Sequence, residues 1–399
     1  MSRLAPSGSR ARGWPPVSRL PAWAQVLGAY AVARFVTFLI TVGVARFQVD
    51  NVWTAARPAY LDFVRIWDGE WYHRIVVSGY PLPLPTDAAG NAYQSEWAFF
   101  PSYPMLVRGL MEVTGLPFRF VSSTTSLLLG AAAVWLMYKL FRLRADHGTA
   151  LVGVTLFSFF PTAPVLQYAY TESMAILALT AATYLLVTRR YLWCLLPVVL
   201  LGLTRPVGVP FGVVVLAHLV HRWLGRRRER LPVGDAVAIV VLGLVTAVSS
   251  VAWPVYVGVA TGIPNAYTEV QSAWHGGDLG WVRPWVDMAS YLLGDTMGPL
   301  VLFLLVVGFV VLLVGPVGRS LGVEMATWCG AYAAYLLVVV QPYTSVFRYL
   351  LLLFPLALAV ARTVRSRAHL VTWLFALVAL QIIWIDWLWR FTPPSDLPP

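Results

Sequence analysis

Residues 233–258 read VGDAVAIVVLGLVTAVSSVAWPVYVG, an apolar run whose single charged residue is Asp235. An α-helix needs about 20 consecutive apolar residues to cross a hydrocarbon core about 30 Å thick, and this run exceeds that length. Similar runs precede and follow it along the chain, and they lack the short alternating pattern of membrane β-barrel strands. The sequence therefore predicts an all-α polytopic membrane protein.

The composition of the whole chain agrees with this class. Of the 399 residues, 59% are hydrophobic and 12% are charged, and the mean hydropathy is +0.70, which excludes an ordinary soluble domain. We interpret the net charge of +11 as a topology signal and expect no binding to nucleic acid. Cys194 and Cys329 both fall in apolar runs, so neither a disulfide framework nor a cysteine metal site is predicted.

The hydropathy pattern predicts a bundle of about eleven transmembrane helices in a single domain, residues 22–390. The predicted spans cover residues 22–46, 119–141, 149–166, 172–188, 191–203, 206–222, 233–258, 291–314, 321–340, 346–361 and 370–390. The short pair around the Arg205–Pro206 break is also compatible with a kinked or re-entrant segment.

The distribution of charge predicts the orientation in the cell membrane. An N-terminal arm, residues 1–21, is rich in arginine and is expected in the cytoplasm, because Lys and Arg accumulate on the cytoplasmic side. This orientation puts three segments outside: a large first loop at 47–118, a second loop at 259–290 and a tail at 391–399. Most of the carboxylates fall outside as well, which suggests that the chemistry takes place there.

The first loop contains two aromatic stretches. They are RIWDGEWYHRIVVSGYP at 65–81 and EWAFFPSYP at 96–104. Apolar and aromatic residues recur at helical spacing over 67–78, which predicts a helix lying at the membrane interface.

Within this predicted helix, Trp67 and Trp71 form one row and Asp68 and Tyr72 form the adjacent row. Spacing alone leaves two interpretations of Asp68. It is either the N-cap of the helix, which would stabilise it by about 1 kcal/mol, or a catalytic carboxylate.

Three charged residues stand near predicted span ends, where an ionised group is costly unless it pairs or lines a wet cavity. They are Glu172, Arg205 and Arg348. Each arginine either extends to the interface and pairs structurally or contacts a ligand. His275, in the second outer loop, is a further candidate, the alternative being an uninvolved loop histidine.

Four stretches resemble the PIG-V family of polytopic mannosyltransferases. They are WDGEWYHRIVVSGYP at 67–81, AFFPSYP at 98–104, TRP at 204–206 and FRYLLLLFP at 347–355. That family is similar to the wider GT-C superfamily, whose multi-spanning enzymes take a sugar from a polyprenyl-phosphate donor on the extracytoplasmic side. The resemblance therefore implies a GT-C-like bundle and a lipid-linked sugar donor.

The resemblance also implies a reaction. It points to an inverting transferase that moves mannose from polyprenyl-phosphate-mannose to a hydroxyl of a glycolipid or glycan acceptor. Asp68 matches the family's acidic position and is the first candidate base, and Glu96, beside the AFFP stretch, is the second. One base suffices, since a lipid phosphate leaves as an anion and needs positive charge nearby.

Candidate binding residues follow from this reaction. Arg205, Arg348 and His275 are candidates for the donor phosphate. The candidates for further substrate contacts are Trp67, Trp71, Tyr72, Glu172 and Tyr349. Because the acids of the second loop are dispersed and no phosphate-binding glycine motif occurs, we expect no metal and no cofactor besides the lipid-linked donor.

A transporter or lipid flippase is the alternative class, because broken spans and membrane-level arginines also describe substrate pathways. Many transporters contain internal repeats, whereas nothing in the second half of this sequence matches the large aromatic first loop. A purely structural partner would not need Asp68, Glu172, Arg205 and Arg348 on one face. Their convergence around one cavity would favour the enzyme.

Overall fold

The computed structural model describes residues 20–275, 280–392 and 399, and the regular secondary structure of this part of the chain is helical. The α-helices are α1 (Ala22–Ala45), α2 (Tyr60–Phe63), α3 (Asp68–Ser78), α4 (Ser102–Thr114), α5 (Phe118–Arg142), α6 (His147–Ser158), α7 (Glu172–Val187), α8 (Tyr191–Gly202), α9 (Gly208–Leu224), α10 (Val233–Thr261), α11 (Ala266–His275), α12 (Arg283–Leu293), α13 (Met297–Val314), α14 (Pro316–Leu321), α15 (Val323–Val339), α16 (Val346–Tyr349), α17 (Pro355–Thr363) and α18 (Arg367–Trp384). An isolated antiparallel bridge pairs Thr86 with Ala92.

The all-α polytopic membrane fold is confirmed, but the count of eleven spans is not. In the described ranges six helices are long and apolar enough to cross a membrane: Ala22–Ala45, Phe118–Arg142, Gly208–Arg227, Val233–Thr261, Met297–Val314 and Arg367–Trp389. A seventh is added if Val346–Leu353 and Pro355–Thr363, which meet at 73°, form one bent span.

Backbone breaks explain the difference. Each of the other predicted spans contains a helix, but α6 and α8 have only 12 residues, a rise of about 18 Å, which is less than the thickness of a hydrocarbon core. Hydropathy counts apolar residues and does not register where the helix stops after Ser158 or Gly202. The break at 203–207 separates α8 from α9, so Arg205 lies in a turn between two helices.

The core of the bundle is built on α5, α7, α8, α9, α10 and α15. Helices α8 and α10 approach so closely that a Cβ added to Gly202 would lie 2.7 Å from the backbone oxygen of Ser249. Glycine is therefore required at this position. The close contact holds the C-terminal end of α8, and with it the following turn that carries Arg205.

Between α6 and α7 the chain runs through the bundle interior as an irregular segment, residues 159–171. Buried side chains from α1 and α18 satisfy its carbonyl groups, as an apolar environment requires. Arg34 donates to the backbone oxygens of Ser158 (2.5 Å) and Ala163, and Gln381 Nε2 donates to that of Phe159 at 2.9 Å. Arg34, which lies within the first span, therefore has a structural role.

Replacing Arg34 with methionine is expected to destabilise the fold, because the carbonyls of Ser158 and Ala163 would lose their donors. Each buried carbonyl left unpaired costs about 1–3 kcal/mol. Thermal unfolding in detergent should show a lower midpoint for Arg34→Met, while Arg46→Met, at an exposed position just after α1, should match the wild type. Equal midpoints for all three proteins would contradict this role.

The first loop folds into short helices, and the helix predicted over 67–78 is confirmed as α3. Helices α3 and α4 pack together and against α5, burying Tyr72, Ile75, Tyr103 and Val107. The first loop thus forms a packed layer over one end of the bundle. The predicted arm at 1–21 and tail at 391–399 lie largely outside the described residues.

Candidate active site

Asp68 is the first residue of α3, but its side chain does not cap that helix. The N-cap position belongs to Trp67, which makes no side-chain capping bond. The Asp68 carboxylate instead lies 2.7 Å, Oδ2 to Nη2, from Arg348 of α16. The N-cap interpretation of Asp68 is therefore wrong.

Arg348 joins Asp68 to a second carboxylate. Its Nη1 lies 3.0 Å from Oε1 of Glu172, and the same oxygen accepts a hydrogen bond from Arg205 Nη1 at 2.6 Å. Two carboxylates and two guanidinium groups form one chain, Asp68–Arg348–Glu172–Arg205, which we call the ionic cluster. Its formal charge is zero, which is what makes its burial tolerable.

The ionic cluster is shielded from solvent. The side chains of Glu172 and Arg348 are 0% and 5% exposed, and those of Arg205 and Asp68 are slightly more accessible. Two buried atoms of the cluster, Glu172 Oε2 and Arg348 Nε, have no hydrogen-bond partner among the described residues. Unpaired buried polar atoms are uncommon in folded proteins, so the cluster retains polar capacity for another group.

The four residues of the ionic cluster come from four separate elements. Asp68 begins α3, Glu172 begins α7, Arg205 lies in the turn between α8 and α9, and Arg348 lies in α16. The structure therefore brings together the four charged residues that the sequence singled out, at the end of the bundle covered by the first loop.

Tyrosine rings support the arginines. The guanidinium carbon of Arg348 lies 5.0 Å from the ring centre of Tyr170 and 5.1 Å from that of Tyr349, and that of Arg205 lies 4.9 Å from Tyr349. The Tyr170 hydroxyl also accepts a hydrogen bond from the backbone N–H of Asp68 at 3.2 Å. Cation–π contacts of this kind are strongest in desolvated sites and hold both arginines in place.

The environment of Asp68 changes its acidity. Burial raises the pKa of the Asp68 carboxyl, while the Arg348 guanidinium acts in the opposite direction by favouring the carboxylate. Asp68 lies in the first loop beside a cation that favours its ionised form, and as a carboxylate it would be a base whose proton affinity exceeds that of an exposed aspartate. Such a shift is typical of catalytic carboxylates.

Glu96, the second candidate base, lies in a short 3-10 turn, Glu96–Ala98, at another part of the loop layer. The neighbouring Trp97 is buried and donates from Nε1 to the backbone oxygen of Pro81 at 2.8 Å. No hydrogen bond or ion pair in the described residues links Glu96 to the ionic cluster. A catalytic role for Glu96 stays a prediction.

The aromatic candidates contact the protein itself. Trp67 is 6% exposed and donates from Nε1 to the backbone oxygen of Trp389 at 2.8 Å. The Trp71 ring lies 4.6 Å from the Arg74 guanidinium carbon and is stacked on Phe99, with ring centres 5.8 Å apart. These contacts stabilise the loop layer, and a substrate-binding role for either tryptophan stays a prediction.

The remaining candidates are Tyr72, Tyr349 and His275, of which the two tyrosines lie at different distances from the ionic cluster. Tyr72 is buried, with its ring centre 5.4 Å from that of Tyr103 and 6.5 Å from that of Tyr170, one residue layer from the ionic cluster. Tyr349 contacts both arginines directly. His275 is the last residue of α11, and its side chain is not among the described parts of the chain.

Two residues that support Asp68 were not predicted from the sequence. Tyr170 lies two residues before Glu172, and Trp389 is one of 18 tryptophans in the chain, so residue type alone distinguishes neither of them. Among the described residues, no group of three or more His, Cys, Asp or Glu side chains comes together as a metal site.

The described chain is a helical, polytopic bundle with a buried ionic cluster beneath a helical first loop. The chain is similar to ArnT from Cupriavidus metallidurans, whose crystal structure is bound to undecaprenyl phosphate, with a TM-score of 0.51 and 15% sequence identity. The similarity covers 90% of this chain and 63% of that one, so this chain spans less than two thirds of the length of ArnT. At this identity the likeness establishes the fold alone.

No family model and no curated protein sequence matches the chain. The GT-C-like fold is supported by the structural likeness to ArnT. The narrower resemblance to the PIG-V family stays a prediction from the motifs.

Proposed function

We propose that this protein is a membrane glycosyltransferase that moves mannose, with inversion, from polyprenyl-phosphate-mannose to an extracytoplasmic hydroxyl of a glycolipid or glycan. The observation that carries the proposal is the buried ionic cluster, which places the Asp68 carboxylate beside Arg348 and links Arg348 through Glu172 to Arg205. The ArnT-like fold, known with undecaprenyl phosphate bound, supports a polyprenyl-phosphate donor. The PIG-V-like motifs support mannose as the sugar.

Arg348 and Arg205 would bind the donor phosphate. In the structure Arg348 is shared between Asp68 and Glu172, so an incoming phosphate competes with Asp68 for its Nη2. Glu172 bonds both arginines through one oxygen and holds them side by side during this exchange. The Nε–H of Arg348, which has no partner among the described residues, offers the phosphate a second donor.

Once released from Arg348, Asp68 acts as the base. The acceptor oxygen forms a bond to the anomeric carbon while the bond from that carbon to the phosphate oxygen breaks. The electron pair of the broken bond stays on the phosphate, and the acceptor proton passes to Asp68. Attack opposite the leaving phosphate inverts the anomeric configuration, and the two arginines stabilise the charge on the departing lipid phosphate.

The experiment that tests the proposal is transfer of radiolabel from undecaprenyl-phosphate-mannose in membranes with and without the protein, with a native lipid extract as acceptor. We expect a labelled product only in membranes that contain the protein, and its structure will identify the acceptor. Undecaprenyl-phosphate-glucose serves as the matched donor. Preferential transfer of glucose would contradict mannose as the donor sugar but would still support a glycosyltransferase. Absence of transfer from either donor would favour the alternative of a transporter.

Chelation is expected to leave the transfer unchanged. In the proposed reaction Arg205 and Arg348 supply the positive charge that a divalent cation would otherwise provide to the leaving phosphate. Initial rates should therefore be equal with and without excess EDTA, in membranes washed free of magnesium and manganese. Loss of activity in EDTA that added Mg²⁺ or Mn²⁺ restores would contradict a metal-independent reaction.

A further inference from the structure

The segment that leads into Asp68 is tied to the C-terminal end of the bundle by two hydrogen bonds that run in opposite directions. Trp67 Nε1 donates to the backbone oxygen of Trp389 at 2.8 Å, and Trp389 Nε1 donates to the backbone oxygen of Phe63 at 3.0 Å. The Trp389 side chain is fully buried at 0% exposure. Two indole groups thus connect positions that are 322 and 326 residues apart in sequence.

These bonds act on a strained residue. Trp67 has φ +62° and ψ −125°, a conformation that residues with a Cβ rarely adopt. A residue held in such a region costs about 1–3 kcal/mol and persists only where its surroundings enforce it. Because Trp67 immediately precedes Asp68, the backbone conformation of Trp67 sets the direction in which the Asp68 side chain points.

Trp389 also supports the other side of Asp68. Its ring centre lies 4.4 Å from that of Tyr168 and 5.1 Å from that of Tyr170. Tyr170 in turn accepts the backbone N–H of Asp68 and lies beneath the Arg348 guanidinium. Trp389 closes a single π-helical turn, Ile385–Trp389, after α18, and turns of this kind occur frequently at functional sites.

We propose that Trp389 is a positioning residue that holds Asp68 in place for proton abstraction. The inference rests on the proposed function, in which Asp68 is the base. When the donor phosphate takes Arg348 away from Asp68, the carboxylate loses its ion pair. The contacts of Trp389 with residues 63–67 and with Tyr170 then keep the carboxylate oriented towards the acceptor.

The test is the substitution Trp389→Phe, which keeps an aromatic ring but removes the donor to Phe63. Its matched control is Trp387→Phe, on the same turn, where the side chain is 77% exposed. We expect Trp389→Phe to lower kcat by about 10- to 100-fold, because misplacing a reacting group by about 1 Å costs roughly that much. Binding of undecaprenyl phosphate, followed by native mass spectrometry, should stay within about twofold of the wild type because both arginines remain.

Two further measurements separate positioning from general destabilisation. Hydrogen exchange at residues 66–70 should accelerate in Trp389→Phe while exchange in α15 stays unchanged. The acidic limb of the pH–rate profile should move to lower pH, because burial raises the pKa of Asp68 and a loosened carboxylate gains water. If Trp389→Phe only reduced the fraction of folded protein, the rate at every pH and the amount of bound lipid would fall by the same factor.

The outcomes distinguish this inference from the proposed function. If Asp68→Asn abolishes transfer but Trp389→Phe keeps the wild-type kcat and pH profile, the positioning role is wrong and the proposed function stands. If Asp68→Asn retains full activity, the proposed base fails and the positioning role fails with it. If the wild type transfers no sugar, unchanged exchange at 66–70 in Trp389→Phe still overturns the inference.

Discussion

The substitution Asp68→Asn is expected to abolish sugar transfer while leaving donor binding intact. A positioned general base contributes about 10²- to 10⁴-fold to a rate, and asparagine cannot accept the acceptor proton. Affinity for undecaprenyl phosphate should be equal or higher, since the phosphate would no longer compete with a carboxylate for Arg348. The separate measurements are kcat for transfer and the dissociation constant of the lipid.

The matched control is Asp50→Asn, an exposed aspartate of the same loop. Its kcat and lipid affinity should equal those of the wild type. Full transfer activity in Asp68→Asn would exclude Asp68 as the base and make Glu96→Gln the next variant to measure.

The pH dependence of the wild type follows from the same carboxylate. Transfer requires ionised Asp68, so activity falls as the pH falls through its pKa. Burial raises that pKa, which moves the acidic limb above the value of about 3.9 expected for an exposed aspartate. A plot of kcat/KM against pH measures this limb, and a limb at or below the ordinary value would contradict the effect of burial.

The substitution Arg348→Met is expected to impair both donor binding and stability. It leaves two buried carboxylates with Arg205 as their single counter-charge, and breaking a buried ion pair costs about 3–5 kcal/mol. The donor phosphate would lose charge-assisted hydrogen bonds of about 1.5–3 kcal/mol each, so its affinity should fall at least about 100-fold. Lipid binding and the thermal midpoint in detergent measure the two effects.

A double variant separates these effects. Adding Glu172→Gln to Arg348→Met removes one carboxylate and returns the ionic cluster to a formal charge of zero. We expect the double variant to recover part of the lost stability but to bind the lipid less tightly than the wild type, because the Arg348 hydrogen bonds are still missing. Arg348→Lys, which keeps the charge but not the planar fork, should bind the lipid with intermediate affinity. Wild-type affinity in Arg348→Met would exclude Arg348 from the donor site.

Much of the fold was predictable because it depends on local composition. Apolar runs such as 233–258 predicted membrane helices, and the aromatic spacing over 67–78 predicted α3 to within one residue. The number of spans was not predictable in the same way. Whether α6 continues after Ser158 depends on carbonyl partners supplied by Arg34 and Gln381 from distant helices, which a hydropathy window does not contain.

The candidate site was likewise only partly predictable from the sequence. Glu172, Arg205 and Arg348 could each be singled out because an ionised group at membrane depth is costly and needs an explanation. Their partners could not be assigned. Spacing left the helix-cap interpretation of Asp68 open, and the ion pair of Asp68 with Arg348, 280 positions later in the sequence, contradicts that interpretation.

By itself, the sequence determined that this is an all-α polytopic membrane protein and which charged residues stand at the ends of apolar runs, because hydropathy and the cost of burying charge are properties of individual residues and short windows. Only the tertiary structure decided which charges pair, that the cluster is electrically neutral, and that Trp389 supports Asp68. Those features depend on contacts between residues hundreds of positions apart, and such contacts form only when the packed helices bring distant segments within hydrogen-bonding distance.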